Sequence, residues 1–109
     1  MASFFRTKIG NNIGTTPVDV LQTGANNRFT VIGCNLANLI DDNIFVDVIV
    51  IDDTSTEGYF IKQLVIAPYT SAKIVTNGEK LILAENCKLR LVSDVADSLD
   101  ATISYVEIV

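Results

Sequence analysis

Histidine and tryptophan are absent from this sequence, and cysteine occurs only twice, as Cys34 and Cys87. Histidine is the commonest base in nucleophilic catalysis, so its absence excludes Ser–His and Cys–His catalytic arrangements. Two thiols without histidine also provide too few ligands for a zinc site. We therefore expect no catalytic residues, no cofactor and no metal ligands, and predict that the protein is not an enzyme.

Positive charge and long apolar runs are also scarce. Eight Lys and Arg against thirteen Asp and Glu give a net charge of −5, which disfavours nucleic acid as a partner. The most apolar stretch, residues 44–51, is far shorter than the roughly twenty residues of a membrane helix. Residues 1–6 lack the pattern of a secretory signal, so we expect synthesis in a cytoplasm and no membrane contact. Free, buried thiols are the favoured interpretation of the cysteines, with a disulfide left open.

What the sequence does have is β-branched residues, most densely in residues 43–52. Val and Ile pack well on a pleated surface, so this stretch is predicted to be a strand. Only Asp47 is polar between its ends, so both faces are apolar. Such a strand lies at the centre of a layered domain or where a partner docks. The two faces are Ile44, Val46, Val48 and Val50, and Phe45, Asp47, Ile49 and Ile51.

Alternating segments follow one another along the whole chain, with turn signals roughly every ten residues. This spacing predicts an all-β fold, a single antiparallel β-sandwich of about eight strands over residues 1–109. Jelly-roll and immunoglobulin-like arrangements are both compatible with it. Gly33 indicates a bulge or a close backbone contact, and Asn77-Gly78 predicts a hairpin joining 73–76 to 81–83. Residues 10–17 are predicted to be a turn. The predicted strands are 3–9, 18–22, 28–36, 43–52, 59–67, 73–76, 81–83, 87–92 and 99–109.

Two pairs of adjacent acids flank the central strand, Asp41-Asp42 and Asp52-Asp53. The favoured interpretation is that they are solvated ends of strands. They would bind calcium only if the two loops met at one end of the sheet. A hydrolase would need a second acid facing Asp52 or Asp53 across a cleft.

The apolar residues exceed what one small core requires, so some are predicted to form a protein–protein interface. Residues 3–9 are predicted to be a short edge strand or an arm, and residues 106–109 a docking tail. A sugar-binding shelf would need exposed aromatic residues, whereas Tyr59, Phe60 and Tyr69 are interpreted as core and rim. The interface candidates are Phe4, Phe5, Phe45, Ile49, Ile51, Val106, Ile108 and Val109.

Several segments resemble small virion structural proteins of tailed bacteriophages. The resemblance lies in residues 13–18 with Val20, in 30–38, 46–48 and 80–83, and in the ending 96–108. It implies a β-sandwich that coats or joins parts of the particle, most simply a head decoration (cement) protein. It further implies the major capsid protein or neck and tail proteins as partners, and a homo-oligomer such as a trimer or ring. The location implied is the virion.

Other functions remain open at this level. A neck or tail accessory protein or a fibre-attachment protein would have the same pattern of strands. A carbohydrate- or receptor-binding sandwich is the alternative from a different class, and a hydrolase using Asp52 and Asp53 is a third. The absence of a catalytic set and the apolar chain ends favour structural assembly.

Overall fold

The computed structural model describes residues 2–75 and 80–109, and these residues form nine β-strands and no helix. None of the described residues therefore belongs to a helix that could cross a membrane. The strands are β1 (Ser3–Ile13), β2 (Val18–Gln22), β3 (Arg28–Asn38), β4 (Ile44–Ile51), β5 (Glu57–Ile66), β6 (Ser71–Val75), β7 (Leu81–Leu83), β8 (Lys88–Ser93) and β9 (Leu99–Ile108).

The strands pair in a nested order, in which the first strand pairs with the last and successive strands pair inwards to a central hairpin. Strand β4 pairs with β5, β3 with β6 and β7, β2 with β8, and β1 with β9, all antiparallel. Rolling this hairpin brings β9 beside β3 and β8 beside β4. The result is two sheets, which we call sheet 1 (β1-β9-β3-β6, with β7 also on β3) and sheet 2 (β2-β8-β4-β5).

This nested pairing identifies the fold as a jelly roll, an antiparallel β-sandwich in which β6 and β7 together occupy the place of one strand. The all-β sandwich predicted from the sequence is confirmed. Of the two arrangements left open there, the jelly roll is the one observed.

One apolar core lies between the sheets. Sheet 1 contributes Val31, Leu36 and Ile103, and sheet 2 contributes Val48 and Leu91, all fully buried. In β8 and β9 the buried residues alternate with exposed or half-buried ones, as the sequence pattern predicts. The predicted bulge at Gly33 is also confirmed, because the pairing of β3 with β9 shifts between Val31 and Gly33.

Two local predictions are wrong. Strand β1 continues to Ile13, through residues predicted to be a turn, because its pairing with β9 resumes there after an irregularity. Strands β6 and β7 do not form a hairpin with each other. Both run antiparallel to β3 along the same edge, and therefore in the same direction. The Asn77-Gly78 signal itself lies outside the described residues.

Two polar side chains shape the ends and bends of the sheets. The buried Asn38 amide nitrogen lies 2.7 Å from the carbonyl oxygen of Asp42 and 3.0 Å from those of Ile66 and Ala67. Asp47 accepts a 2.8 Å hydrogen bond from the backbone N–H of Gln63, which has a positive φ of 54° in a bulge of β5. The single polar residue of the central strand thus satisfies an N–H that the bulge removes from the ladder.

Candidate interaction surface

The outer face of sheet 1, which points away from the core, carries a continuous row of side chains across four strands. Phe5 of β1 is paired with Val106 of β9, Val106 with Thr30 of β3, and Thr30 with Ile82 of β7. Directly paired residues of an antiparallel sheet project their side chains to the same face, so the four lie side by side. We call these four residues the outer-face row.

Three of the four residues in the row are apolar, and the row is open to solvent at both ends. Phe5 is 84% exposed and Ile82 is 66% exposed, while Val106 and Thr30 between them are half-buried. Ile9, exposed, and Ile108, half-buried, lie on the same face of β1 and β9, and the bulge residue Ile32 is exposed nearby. Single exposed apolar residues are ordinary, but a contiguous patch of this kind is typical of a docking surface.

Strand β1 adds an unpaired backbone edge beside this row. It forms the end of sheet 1, and no described strand pairs with its outer side. Ala2 and Val109 exchange both backbone hydrogen bonds, so the even-numbered residues of β1 bond to β9. The N–H and C=O groups of Ser3, Phe5, Thr7 and Ile9 therefore point away from the sheet. We call this the free edge of β1.

The inner face of β1 is also exposed along residues 4–8, whereas Ile13 at the end of the strand is buried in the core. Phe4 and Arg6 lie on that face, with the Arg6 guanidinium carbon 5.2 Å from the centre of the Phe4 ring. Arg6 donates a 2.8 Å hydrogen bond to Glu107 on β9. Hydrogen bonds from Asn27 and then Arg6 lower the pKa of Glu107 below its ordinary value, so the ion pair persists at neutral pH.

The structure separates the interface residues predicted at the two ends of the chain into three groups. Phe5, Val106 and Ile108 lie on the outer face of sheet 1, and Phe4 lies on the opposite face of β1. Val109 is exposed at the end of β9. The predicted arm is the edge strand β1, and residues 106–108 are paired on both sides, with β1 and β3.

The prediction that Ile49 and Ile51 belong to an interface is wrong. They are only 9% and 6% exposed, so they are not available to a partner. Their neighbours on β8 are Arg90 and Lys88, whose long aliphatic stems can cover adjacent apolar surface. Ile49 and Ile51 are therefore shielded within the chain itself rather than by another molecule.

A smaller apolar pair lies on the outer face of sheet 2, where Phe45 faces Val65 of β5, and both are exposed. Tyr59, Phe60 and Tyr69 are exposed as well, so none of them belongs to the core as their interpretation in part required. The Lys62 ammonium group lies over the Tyr59 ring, 4.3 Å from the ring centre.

The acidic pairs do not form one site. Asp41-Asp42 precede β4 and Asp52-Asp53 follow it, so a strand of eight residues, roughly 26 Å long, separates them. Asp52 instead closes the β4–β5 turn, accepting hydrogen bonds from the hydroxyl and N–H of Thr54 and the N–H of Thr56. These bonds lower its pKa, which is opposite to what a general acid requires.

Both cysteines are free and buried, Cys34 in β3 and Cys87 just before β8. Burial raises the pKa of Cys34 to about 12, so its reactive thiolate is scarce at neutral pH. The cysteines therefore act as small apolar residues of the core.

No protein-family model and no curated protein matches the sequence. Solved structures do share the fold. One is from a study of Bacillus endospore appendages described as disulfide-linked pili, with a TM-score of 0.59 and 9% identity. The match covers 97% of this chain and 85% of the other.

Two further structures come from viruses. The first is from the T13 viral particle of IBDV, with a TM-score of 0.50 and 8% identity over 96% of this chain but only 35% of the other. The second is from the capsid asymmetric unit of cyanophage Pam1, with a TM-score of 0.49, 17% identity, and coverage of 95% and 85%. At these identities the likenesses with TM-scores of 0.59 and 0.50 establish the fold and nothing more.

Proposed function

We propose that this protein is a non-enzymatic structural component of a bacteriophage virion. It binds neighbouring capsid, neck or tail subunits and so stabilises the particle, with head decoration as the favoured role. The observation that carries this proposal is the outer-face row beside the free edge of β1. Together they offer apolar area and unpaired backbone groups next to each other along one edge of sheet 1.

Three further observations support this proposal. Jelly rolls are common in viral capsid proteins, and two of the structures that share the fold are assembly subunits, of a pilus and of a viral particle. The residue resemblance to phage virion proteins points in the same direction. Asp52, one of the two acids on which a hydrolase would rely, is occupied within its own turn by hydrogen bonds from Thr54 and Thr56.

The outer face of sheet 1 is the surface proposed to meet the particle. Ile82 and Val65 make a matched pair of test positions, since both are exposed aliphatic residues on strands, one on the outer face of each sheet. Serine at either position removes apolar area without disturbing the core.

The experiment measures how much purified protein sediments with particles prepared without it. We expect Ile82→Ser to reduce the bound fraction severalfold and Val65→Ser to leave it near the wild-type value. Loss of binding with Val65→Ser alone would overturn the assignment of the face. Failure of the wild-type protein to bind any such particle would contradict the proposed function itself.

A further inference from the structure

We propose that a second copy of this chain binds the free edge of β1, strand β1 against strand β1, with Phe5 opposite Phe5 across a two-fold axis. This inference rests on the proposed structural function and names one of its subunit contacts. The contact is isologous, because the same edge of each copy meets itself.

Strand β1 is the sheet edge with the fewest features that prevent pairing. Its ladder with β9 is regular from Ser3 to Gly10. The edge strand β5 has two bulges opposite β4, and the edge strand β2 has five residues and an irregular register. On the remaining edge, β7 has only three residues and β6 five. Long, unbulged edges with exposed apolar side chains are the ones that pair with another strand.

The hydrogen-bonding pattern restricts how two such edges can meet. Only the odd-numbered residues from Ser3 to Ile9 present N–H and C=O groups outwards, so odd residues must face odd residues. Two identical antiparallel strands satisfy this condition only when the two-fold axis passes through a residue position. If the axis passed between two residues, odd-numbered residues of one copy would lie opposite even-numbered residues of the other. The N–H and C=O groups of those even-numbered residues already bond to β9 and could not bond across the axis.

Charge then selects among these registers. An axis at position 6, 7 or 8 sets Arg6 against Arg6, Arg6 against Lys8, or Lys8 against Lys8, and like charges directly opposite are destabilising. An axis at Phe4 pairs only residues 2–6 of the described strand. An axis at Ile9 extends pairing into the irregular segment between Gly10 and Ile13.

The axis at Phe5 avoids all of these conflicts. It pairs Ser3 with Thr7 and places Arg6 of one copy opposite Phe4 of the other. Arg6 already lies over Phe4 within one chain, so the contact extends an existing cation–π arrangement across the axis. It also joins the two outer-face rows at Phe5, giving one continuous, mainly apolar row that crosses eight strands. The dimer therefore enlarges the surface proposed to meet the particle.

A proline at Thr7 tests the edge. The Thr7 N–H does not bond to β9, so Thr7→Pro leaves the ladder within one copy intact. It removes the N–H that would bond to Ser3 of the second copy, and it does so twice per dimer. Thr7→Ala keeps the N–H and is the matched control. We expect sedimentation to give twice the 11.8 kDa chain mass for wild type and Thr7→Ala, and the single mass for Thr7→Pro.

Disulfide trapping tests the register, and it does so without depending on the proline variant folding. A mixture of Phe4→Cys and Arg6→Cys chains should form a cross-linked dimer containing one of each. In a non-hydrogen-bonded pair the Cα atoms are about 4.5 Å apart, which suits a disulfide. Each variant alone should remain uncrosslinked. The native cysteines do not compete, because both are buried.

Several results would overturn the inference. These are a monomeric wild-type protein, an oligomer unaffected by Thr7→Pro in a folded chain, or cross-linking of Arg6→Cys with itself. A trimer or ring that survives Thr7→Pro would also overturn it. The proposed function is tested separately. If the protein binds particles but stays monomeric, the proposed function stands and the proposed dimer is wrong. If the protein dimerises but does not bind particles, the dimer stands and the proposed function is wrong.

Discussion

Replacing Asn38 with alanine should show how strongly one buried amide holds an end of the sandwich. Its nitrogen contacts three carbonyl groups, and its oxygen accepts a 3.0 Å bond from the N–H of Ile40. These contacts join the end of β3 to the β3–β4 loop and to the end of β5.

The expected loss follows from counting these bonds. An amide has two N–H hydrogens, so the three carbonyl contacts share two donated bonds, and the accepted bond makes three. At about 1 kcal/mol for each bond, Asn38→Ala should lower the free energy of unfolding by about 3 kcal/mol. In urea this corresponds to a midpoint lower by roughly 2 M, with an unchanged slope.

Asn35→Ala is the matched control, since Asn35 lies on the same strand and is exposed. We expect this control to change the free energy of unfolding by no more than about 0.5 kcal/mol. A loss below about 1 kcal/mol for Asn38→Ala would refute the reasoning, because the carbonyl groups of Asp42, Ile66 and Ala67 would then be equally well satisfied without the amide.

Three other perturbations test the core, a turn and the cysteines. Leu91→Ala removes a fully buried side chain and should cost about 2–5 kcal/mol in urea unfolding, so a cost under 1 kcal/mol would contradict the packing. The pKa of Asp52 is lowered from its ordinary 3.8, so its contribution to stability is present above pH 3.8 and is lost as the pH falls through the lowered value. The excess stability of wild type over Asp52→Asn should therefore stay constant from pH 7 down to about pH 4 and shrink as the pH falls below 3.8, and a difference that stays constant below pH 3.8 would contradict this account of the turn. Because both thiols are buried, the native protein should not react with a thiol reagent at pH 8. The unfolded protein should react at two thiol groups per chain. Rapid reaction of the native protein would contradict the burial of the thiols.

The sequence was most informative where the relevant neighbours are close in the chain. Alternation in β8 and β9 predicted which residues are buried, and Gly33 predicted the bulge, because both effects arise within one strand. The mispredicted hairpin of β6 and β7 shows the limit. A turn signal cannot indicate that β3, more than thirty residues earlier, pairs with both segments.

The candidate surface was predicted only in part, for a similar reason. Phe5 and Val106 were identified by their apolar character at the chain ends. Thr30 and Ile82 complete the row only through cross-strand register, which local patterns do not encode. Ile49 and Ile51 were assigned to the surface wrongly, because the side chains beside them belong to a different strand.

The most direct test of the central claim is the copy number of this protein in purified virions, measured by quantitative mass spectrometry against the major capsid protein. A structural component predicts a fixed copy number in every preparation. A ratio comparable with the capsid protein identifies decoration of the whole head, and a small ring-like number identifies a neck, tail or fibre attachment. Absence of the protein from the particles would contradict the account.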